Sequence, residues 1–185
     1  MASYAQSICD QSTLRVTAGY PSYPSGGAHG GIDTVHPDLL AFAPQAGTVV
    51  WAQTWDGTTT TGNMSWGNAI RVQMSDGTYW LAAHFAAQLH TVGDTITKGQ
   101  YIGTQGATGN VTGVHTHWEL WTGTTTATRV DPSGILGIPN AVGTYDVTWD
   151  ASVTPDPDPD PDPDPDPENK IPIWLLFKLA RGGKI

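Results

Sequence analysis

Four histidines and one aspartate carry the chemistry open to this sequence. They are His29 and Asp33 in Ala28-His29-Gly30-Gly31-Ile32-Asp33, then His84, then His115 and His117 in Val114-His115-Thr116-His117-Trp118-Glu119. Imidazole and carboxylate together suit zinc, and a catalytic zinc site takes three such protein ligands and leaves a fourth position open. His29, Asp33 and one histidine of the later pair would supply the three, which leaves two imidazoles free to move protons. The helical H-E-x-x-H arrangement, with its own glutamate base, is absent, so proton transfer falls to those imidazoles.

Strands and tight turns must bring these side chains together. Val114 to Trp121 alternates with period two and is rich in β-formers, so it reads as a strand on which His115, His117 and Glu119 share a face. Glu119 would there either fix the tautomer of a ring by accepting its N–H, or stand as an ordinary carboxylate on the sheet surface. Gly30 and Gly31 let the chain bend between His29 and Asp33. Short β-type runs recur (GTVVWAQTW, NAIRVQM, TYWLAAHF and QYIGTQG), with turn dipeptides such as Asp56-Gly57 and Asp76-Gly77 between them, while helical periodicity is scarce. The expectation is an all-β, compact antiparallel sheet domain with a metal-binding groove. His36, before Pro37, and His90, beside Val92-Gly93-Asp94, read as solvated loop residues. Trp51, Trp55, Trp66, Trp80, Trp118 and Trp121 read as core packing, with one or two of them lining the cleft.

The order HGGID, LAAHF and VGDTITKGQYIGTQGATGNVTGVHTHWEL resembles the lysostaphin/LytM-type zinc endopeptidases, which cut peptides of bacterial peptidoglycan. The match runs from about Arg15 to Pro132 and includes the spacers Gly93-Asp94, Lys98-Gly99-Gln100, Ile102-Gly103 and Gly106-Ala107-Thr108-Gly109. The resemblance implies that His29, Asp33 and His117 hold a zinc ion (Zn2+) and that His84 and His115 are the two catalytic histidines outside the ligand set. It also implies a tyrosine ahead of the first ligand, Tyr23 or else Tyr20, that steadies the transition state. Two positions depart from the pattern: Ala82 stands where a tyrosine is usual, and no arginine lies close before His29, Arg15 being a distant substitute. The implied function is a zinc metalloendopeptidase acting on peptidoglycan peptides. A non-catalytic wall-binding module and a phage structural component on the same fold are the alternatives. VGDTITKGQYIG also resembles a hairpin of lipoyl-type and phosphocarrier domains, neither of which accounts for the histidine set.

The remaining sequence divides cleanly. Residues 1–154 read as the peptidase domain, with its core at about 15–132, residues 155–168 as a linker and residues 169–185 as a tail. The Pro-Asp alternation of the linker forbids helix and predicts an extended spacer of roughly 40 Å at about 3.1 Å per residue. The tail, Ile171-Pro172-Ile173-Trp174-Leu175-Leu176-Phe177 followed by Lys178, Arg181 and Lys184, is apolar and then basic. It is too short to span a bilayer and suits a membrane surface, a phage structural protein or its own domain. The net charge of −9 speaks against a nucleic-acid footprint. A lone Cys9 makes no internal disulfide, and MASYAQSICDQS lacks the basic start and apolar core of an export signal. The expectation is a protein made in the cytoplasm that acts on the wall after phage-type release, or as part of a virion.

Overall fold

Alternating β-formers interrupted by glycine turns fold here into thirteen short strands among the described residues. A computed structural model describes residues 3–154; the Pro-Asp linker and the apolar-basic tail, with the expectations placed on them, lie outside the described residues. In chain order the strands are β1 (Tyr4–Gln6), β2 (Thr13–Ala18), β3 (Ile32–Val35), β4 (Leu40–Phe42), β5 (Gly47–Gln53), β6 (Asn68–Gln73) and β7 (Tyr79–Phe85). They continue with β8 (Ala87–Gln88), β9 (Thr95–Ile96), β10 (Tyr101–Thr104), β11 (Thr116–Trp121), β12 (Arg129–Val130) and β13 (Gly143–Trp149). The α-helix among the described residues is the single turn Ser133–Leu136.

Ten strands form one sheet in the order β1-β13-β2-β3-β11-β7-β6-β5-β9, with β12 on β11, and β4-β10-β8 form a second. The pairings among described strands are antiparallel except β1 with β13. The all-β antiparallel class expected from the sequence is what forms, and all four β-type runs contain strands. Asp76-Gly77 closes the β6–β7 hairpin, where Gly77 sits at φ 84° and the Asp76 carboxylate accepts the Thr78 N–H at 2.9 Å.

The central strands are covered on both sides, which simple alternation hides. On one face Leu14, Val16, Ile32, Val49, Ile70, Val72, Trp80, Ala82 and Trp118 build the main core. On the other, Ala69, Leu81, Ala83 and Trp121 pack with Trp51, Trp66 and Tyr79. Strands buried on both faces lose the polar-out half of the pattern, and this second face is the one that carries the histidines.

Two loop assignments need correction. His36 is buried at 2 % exposure, its ring paired with the Asp38 carboxylate, because the chain turns inward at the end of β3 instead of running out into water. His90 is half-buried and its ring N–H donates to the Tyr101 carbonyl at 3.2 Å.

Close packing reaches its limit at Gly31, between the first two site residues. A Cβ there would lie 1.8 Å from the Trp118 carbonyl oxygen. Gly31→Ala therefore forces β3 away from β11 and is expected to lower stability by about 1–3 kcal/mol in thermal denaturation. Gly134→Ala, where a Cβ meets nothing within 4 Å, serves as the near-neutral control.

Candidate functional site

The β3–β11 register sets Asp33 directly opposite His117, and the Gly30-Gly31 bend brings His29 onto the same face. His29 Nε2 lies 3.1 Å from Asp33 Oδ1 and 3.1 Å from His117 Nδ1, and His117 Nδ1 lies 2.7 Å from the same carboxylate oxygen. All three residues are buried, and among the described residues they are the one cluster whose ligand atoms converge as a metal site requires.

Each ring nitrogen that faces away from this cluster meets an acceptor. His29 Nδ1–H donates to the Gly19 carbonyl at 2.8 Å, and His117 Nε2–H donates to Glu119 Oε1 at 2.9 Å. His84 Nδ1–H donates to the Thr108 carbonyl at 2.9 Å, and His115 Nδ1–H to the Gly113 carbonyl at 2.8 Å. A carbonyl or carboxylate oxygen has no hydrogen to give, so the ring must supply it, and the second nitrogen of each neutral imidazole is then a bare lone pair. His29 Nε2 and His117 Nδ1 thus aim lone pairs at one another and at a carboxylate. Three acceptors so placed repel unless a cation stands among them. A tetrahedral zinc ion with bonds of about 2.0–2.1 Å holds its ligand atoms about 3.3 Å apart, a few tenths of an ångström from this spacing. The residues fit zinc in number, type and placement.

The charges answer the same demand. Burial alone would raise the Asp33 carboxyl, yet the adjoining His117 and His29 rings hold it well below the usual carboxylate range. Burial would likewise lower His117, and the Asp33 and Glu119 carboxylates overcome it and push the ring up to about 9. Without a metal, a proton supplies the missing positive charge.

Glu119 is the anchor behind His117 and no surface carboxylate, at 1 % exposure. Its Oε1 accepts the His117 ring and the Trp66 indole N–H at 3.1 Å, and its Oε2 accepts the Trp121 indole N–H and Arg129 Nε at 2.6 Å. Burial raises this acid, but the bonds from His117 and Arg129 hold it at about 2. Four donors fill the four lone-pair directions of an ionised carboxylate.

His84 arrives by a different device. Strict alternation along β7 would send it to the core face with Trp80 and Ala82. Between Asn68 and Ile70 of β6, however, β7 carries one extra residue, and His84 takes φ 69°. That bulge turns the ring to lie 4.8 Å from His115 and 5.7 Å from His117, centroid to centroid, at a backbone cost of about 1–3 kcal/mol. Burial, then the neighbouring imidazoles, hold His84 down at about 3, so it is neutral at physiological pH. His115 stands just before β11 with Nε2 3.7 Å from Asp33 Oδ1.

Tyr23 stacks on His29 with ring centroids 4.2 Å apart and stays half open to solvent. Burial and the charges of Asp33 and Glu119 raise its phenol, which keeps the hydroxyl a donor. Tyr20 donates its hydroxyl to the Arg129 carbonyl at 3.2 Å. All six residues singled out in the sequence therefore meet in one place. The sequence reading missed Arg129, and it named Trp66 and Trp121 for core packing and the cleft without their hydrogen bonds to Glu119. Arg15 points to solvent, and Arg129 fills the cationic place near the first ligand, where a Cβ on Gly30 would lie 2.8 Å from its guanidinium. Its position after β11 was the available signal, since antiparallel pairing of β12 folds it back onto Glu119.

The sequence matches the family model described as Peptidase family M23 over residues 27–132. Among solved structures, the catalytic domain of the antimicrobial peptidase lysostaphin from Staphylococcus simulans is 29 % identical, with 66 % of this chain and 92 % of that chain covered and a TM-score of 0.56. A catalytic-domain variant of the prophage-encoded M23 protein EnpA from Enterococcus faecalis is 26 % identical over 70 % of this chain and 95 % of that one, with a TM-score of 0.58. LytU is 26 % identical over 65 % and 82 %, with a TM-score of 0.54. The curated proteins contain no match.

The hydrogen bond from His117 to Glu119 makes a quantitative demand. Glu119→Gln keeps the shape but removes the charge that holds the ring, and is expected to weaken metal binding by about 10–100-fold in chelator competition. An unchanged affinity would show that the carboxylate does not orient the ligand.

Proposed function

The chain belongs to peptidase family M23, and from that premise we propose that it is a zinc-dependent endopeptidase hydrolysing peptide bonds of bacterial peptidoglycan. One observation carries the reading: His29, Asp33 and His117 converge as three acceptors that require a cation, with two further imidazoles beside them. The likeness to lysostaphin, an antimicrobial peptidase, and to the M23 protein EnpA supports the same reaction class.

His29, Asp33 and His117 would hold the ion. Bound there, zinc would polarise the scissile carbonyl and make an attacking water more acidic. The remaining steps fall to this chain's own groups. His84 and His115 each present a bare Nε2, because Nδ1–H is committed to a backbone carbonyl. One of them takes a proton from the attacking water as the C–O bond forms, and an imidazolium returns it to the departing amine nitrogen as the C–N bond breaks. The Tyr23 hydroxyl, at the rim against His29, donates to the oxygen on which negative charge develops. Burial of the ligands keeps competing water from the carboxylate and strengthens every charge interaction in the site. We place the protein in a phage or prophage setting, acting on the wall after release or as part of a virion, with support from the prophage-encoded EnpA. The tail would make the membrane-surface or virion contact.

The test is zinc content and muropeptide cleavage on the same preparation, with products identified by mass spectrometry. One zinc per chain and new amino termini are expected, both lost in His117→Ala; zinc without cleavage of any wall peptide would overturn the enzyme reading. His84→Ala and His115→Ala are expected to retain zinc while kcat falls by about 10²–10⁴-fold. Retained kcat in both would remove the imidazoles from the mechanism.

A further inference from the structure

The face of β11 that carries His117 continues through Glu119 to Trp121, since side chains of one face recur at every second residue. Beside Glu119 this face opens into a cavity of about 270 Å³ lined by Trp51, Trp66, Arg71, Leu81, Trp121 and the segment Thr124 to Thr126. Trp66 and Trp121, the indoles that donate to Glu119, are two of its walls. The cavity and the metal ligands therefore share one carboxylate network.

Arg71 is the cation that lines this cavity, and it has unused hydrogen-bonding capacity. Among the described residues Arg129 pairs with Glu119 and Lys98 with Asp150, whereas Arg71, like the exposed Arg15, has no described carboxylate within ion-pair reach. One of its N–H groups makes a long bond of 3.4 Å to the Thr124 carbonyl, and its buried Nε has no partner. The guanidinium carbon lies over Trp121, 4.9 Å from the ring centroid, and over Tyr79 at 5.5 Å. A planar fork set between two rings and unpaired among the described residues suits a carboxylate, which it can meet with two parallel hydrogen bonds. A sugar suits the cavity less well. Stacking needs an open indole face, and Arg71 stands over Trp121 and Arg129 over Trp66, at 5.7 Å.

We propose that this Arg71 pocket is a substrate subsite for a free carboxylate, terminal or side-chain, on the peptide being cut. The assignment rests on the peptidase reading for the word substrate. Four strand residues from His117 to Trp121 span about 13 Å at 3.3 Å each, so an extended peptide reaches the pocket with a group three or four residues from the bond at the metal centre. Amidation of that carboxylate, which removes its charge, would then decide which wall peptides are preferred.

The experiment uses the full-length, zinc-loaded protein and the peptide acetyl-lysyl-D-alanyl-D-alanine, as free acid and as C-terminal amide, with binding followed through tryptophan fluorescence. Trp51, Trp66 and Trp121 line the pocket and report its occupation. The acid is expected to bind about ten-fold tighter than the amide, the low end for a charge-assisted hydrogen bond. In Arg71→Gln the two should bind alike, with zinc content unchanged, and Arg71→Lys should keep part of the preference. Equal binding of acid and amide by the unaltered protein overturns the proposal without need of any variant. A preference that survives Arg71→Gln also overturns it, because the carboxylate would then be meeting the metal. The two readings fail separately: a protein that cuts no wall peptide but keeps an Arg71-dependent preference loses only the peptidase assignment, while one that cuts and does not discriminate loses only the pocket.

Discussion

Everything in this site depends on where the ring hydrogens point. Three backbone carbonyls and one carboxylate take the outward N–H of His29, His84, His115 and His117, and the four remaining lone pairs are thereby turned to one side. None of these acceptors needs a metal to be present. The fold fixes the outward N–H of each ring in advance, and His29 Nε2, His117 Nδ1 and the Asp33 carboxylate can lie 2.7–3.1 Å apart only around a positive charge, a proton or a metal. A cluster suited to a cation and the two imidazoles beside it thus follow from one set of hydrogen bonds.

The sheet meets this demand by burying both faces of its central strands. The main core fixes β3, β7 and β11 relative to one another, and the second face can then hold ionised groups in fixed positions. Glu119 is the clearest case. An ionised carboxylate at 1 % exposure is costly to desolvate, and it is stable here because His117, Trp66, Trp121 and Arg129 all donate to it. Arg129 balances its charge, and the two indoles exclude water without competing for a proton. Those indoles also form the wall of the Arg71 cavity, so the ligand-orienting network and the proposed carboxylate subsite are mechanically one unit.

Much of this was legible in the residues alone. The strand class follows from the alternation, and His115, His117 and Glu119 share a face because their spacing is two. The Gly30-Gly31 bend is readable because two successive glycines let the chain turn tightly, and the structure adds that a Cβ on Gly31 would lie 1.8 Å from the Trp118 oxygen. Other parts were not readable, for specific reasons. His84 is named by the resemblance, but the way it reaches the site is hidden, because an inserted residue on β7 breaks the alternation on which a local pattern rests. His36 is buried because the chain turns inward to pair it with Asp38, which no local pattern announces. Arg129 and Trp66 lie ten and fifty-three positions from Glu119, and only the folded sheet brings them to it. Long-range hydrogen bonds to a single carboxylate leave no periodic mark.

The central claim is therefore about tautomers, and nitrogen-15 NMR of the histidine side chains in the zinc-loaded protein reads them directly. The account predicts the proton on Nδ1 of His29, His84 and His115, and on Nε2 of His117. A proton found instead on His29 Nε2 or His117 Nδ1 would turn an N–H toward Asp33 and contradict the arrangement of acceptors on which the metal site and its chemistry rest.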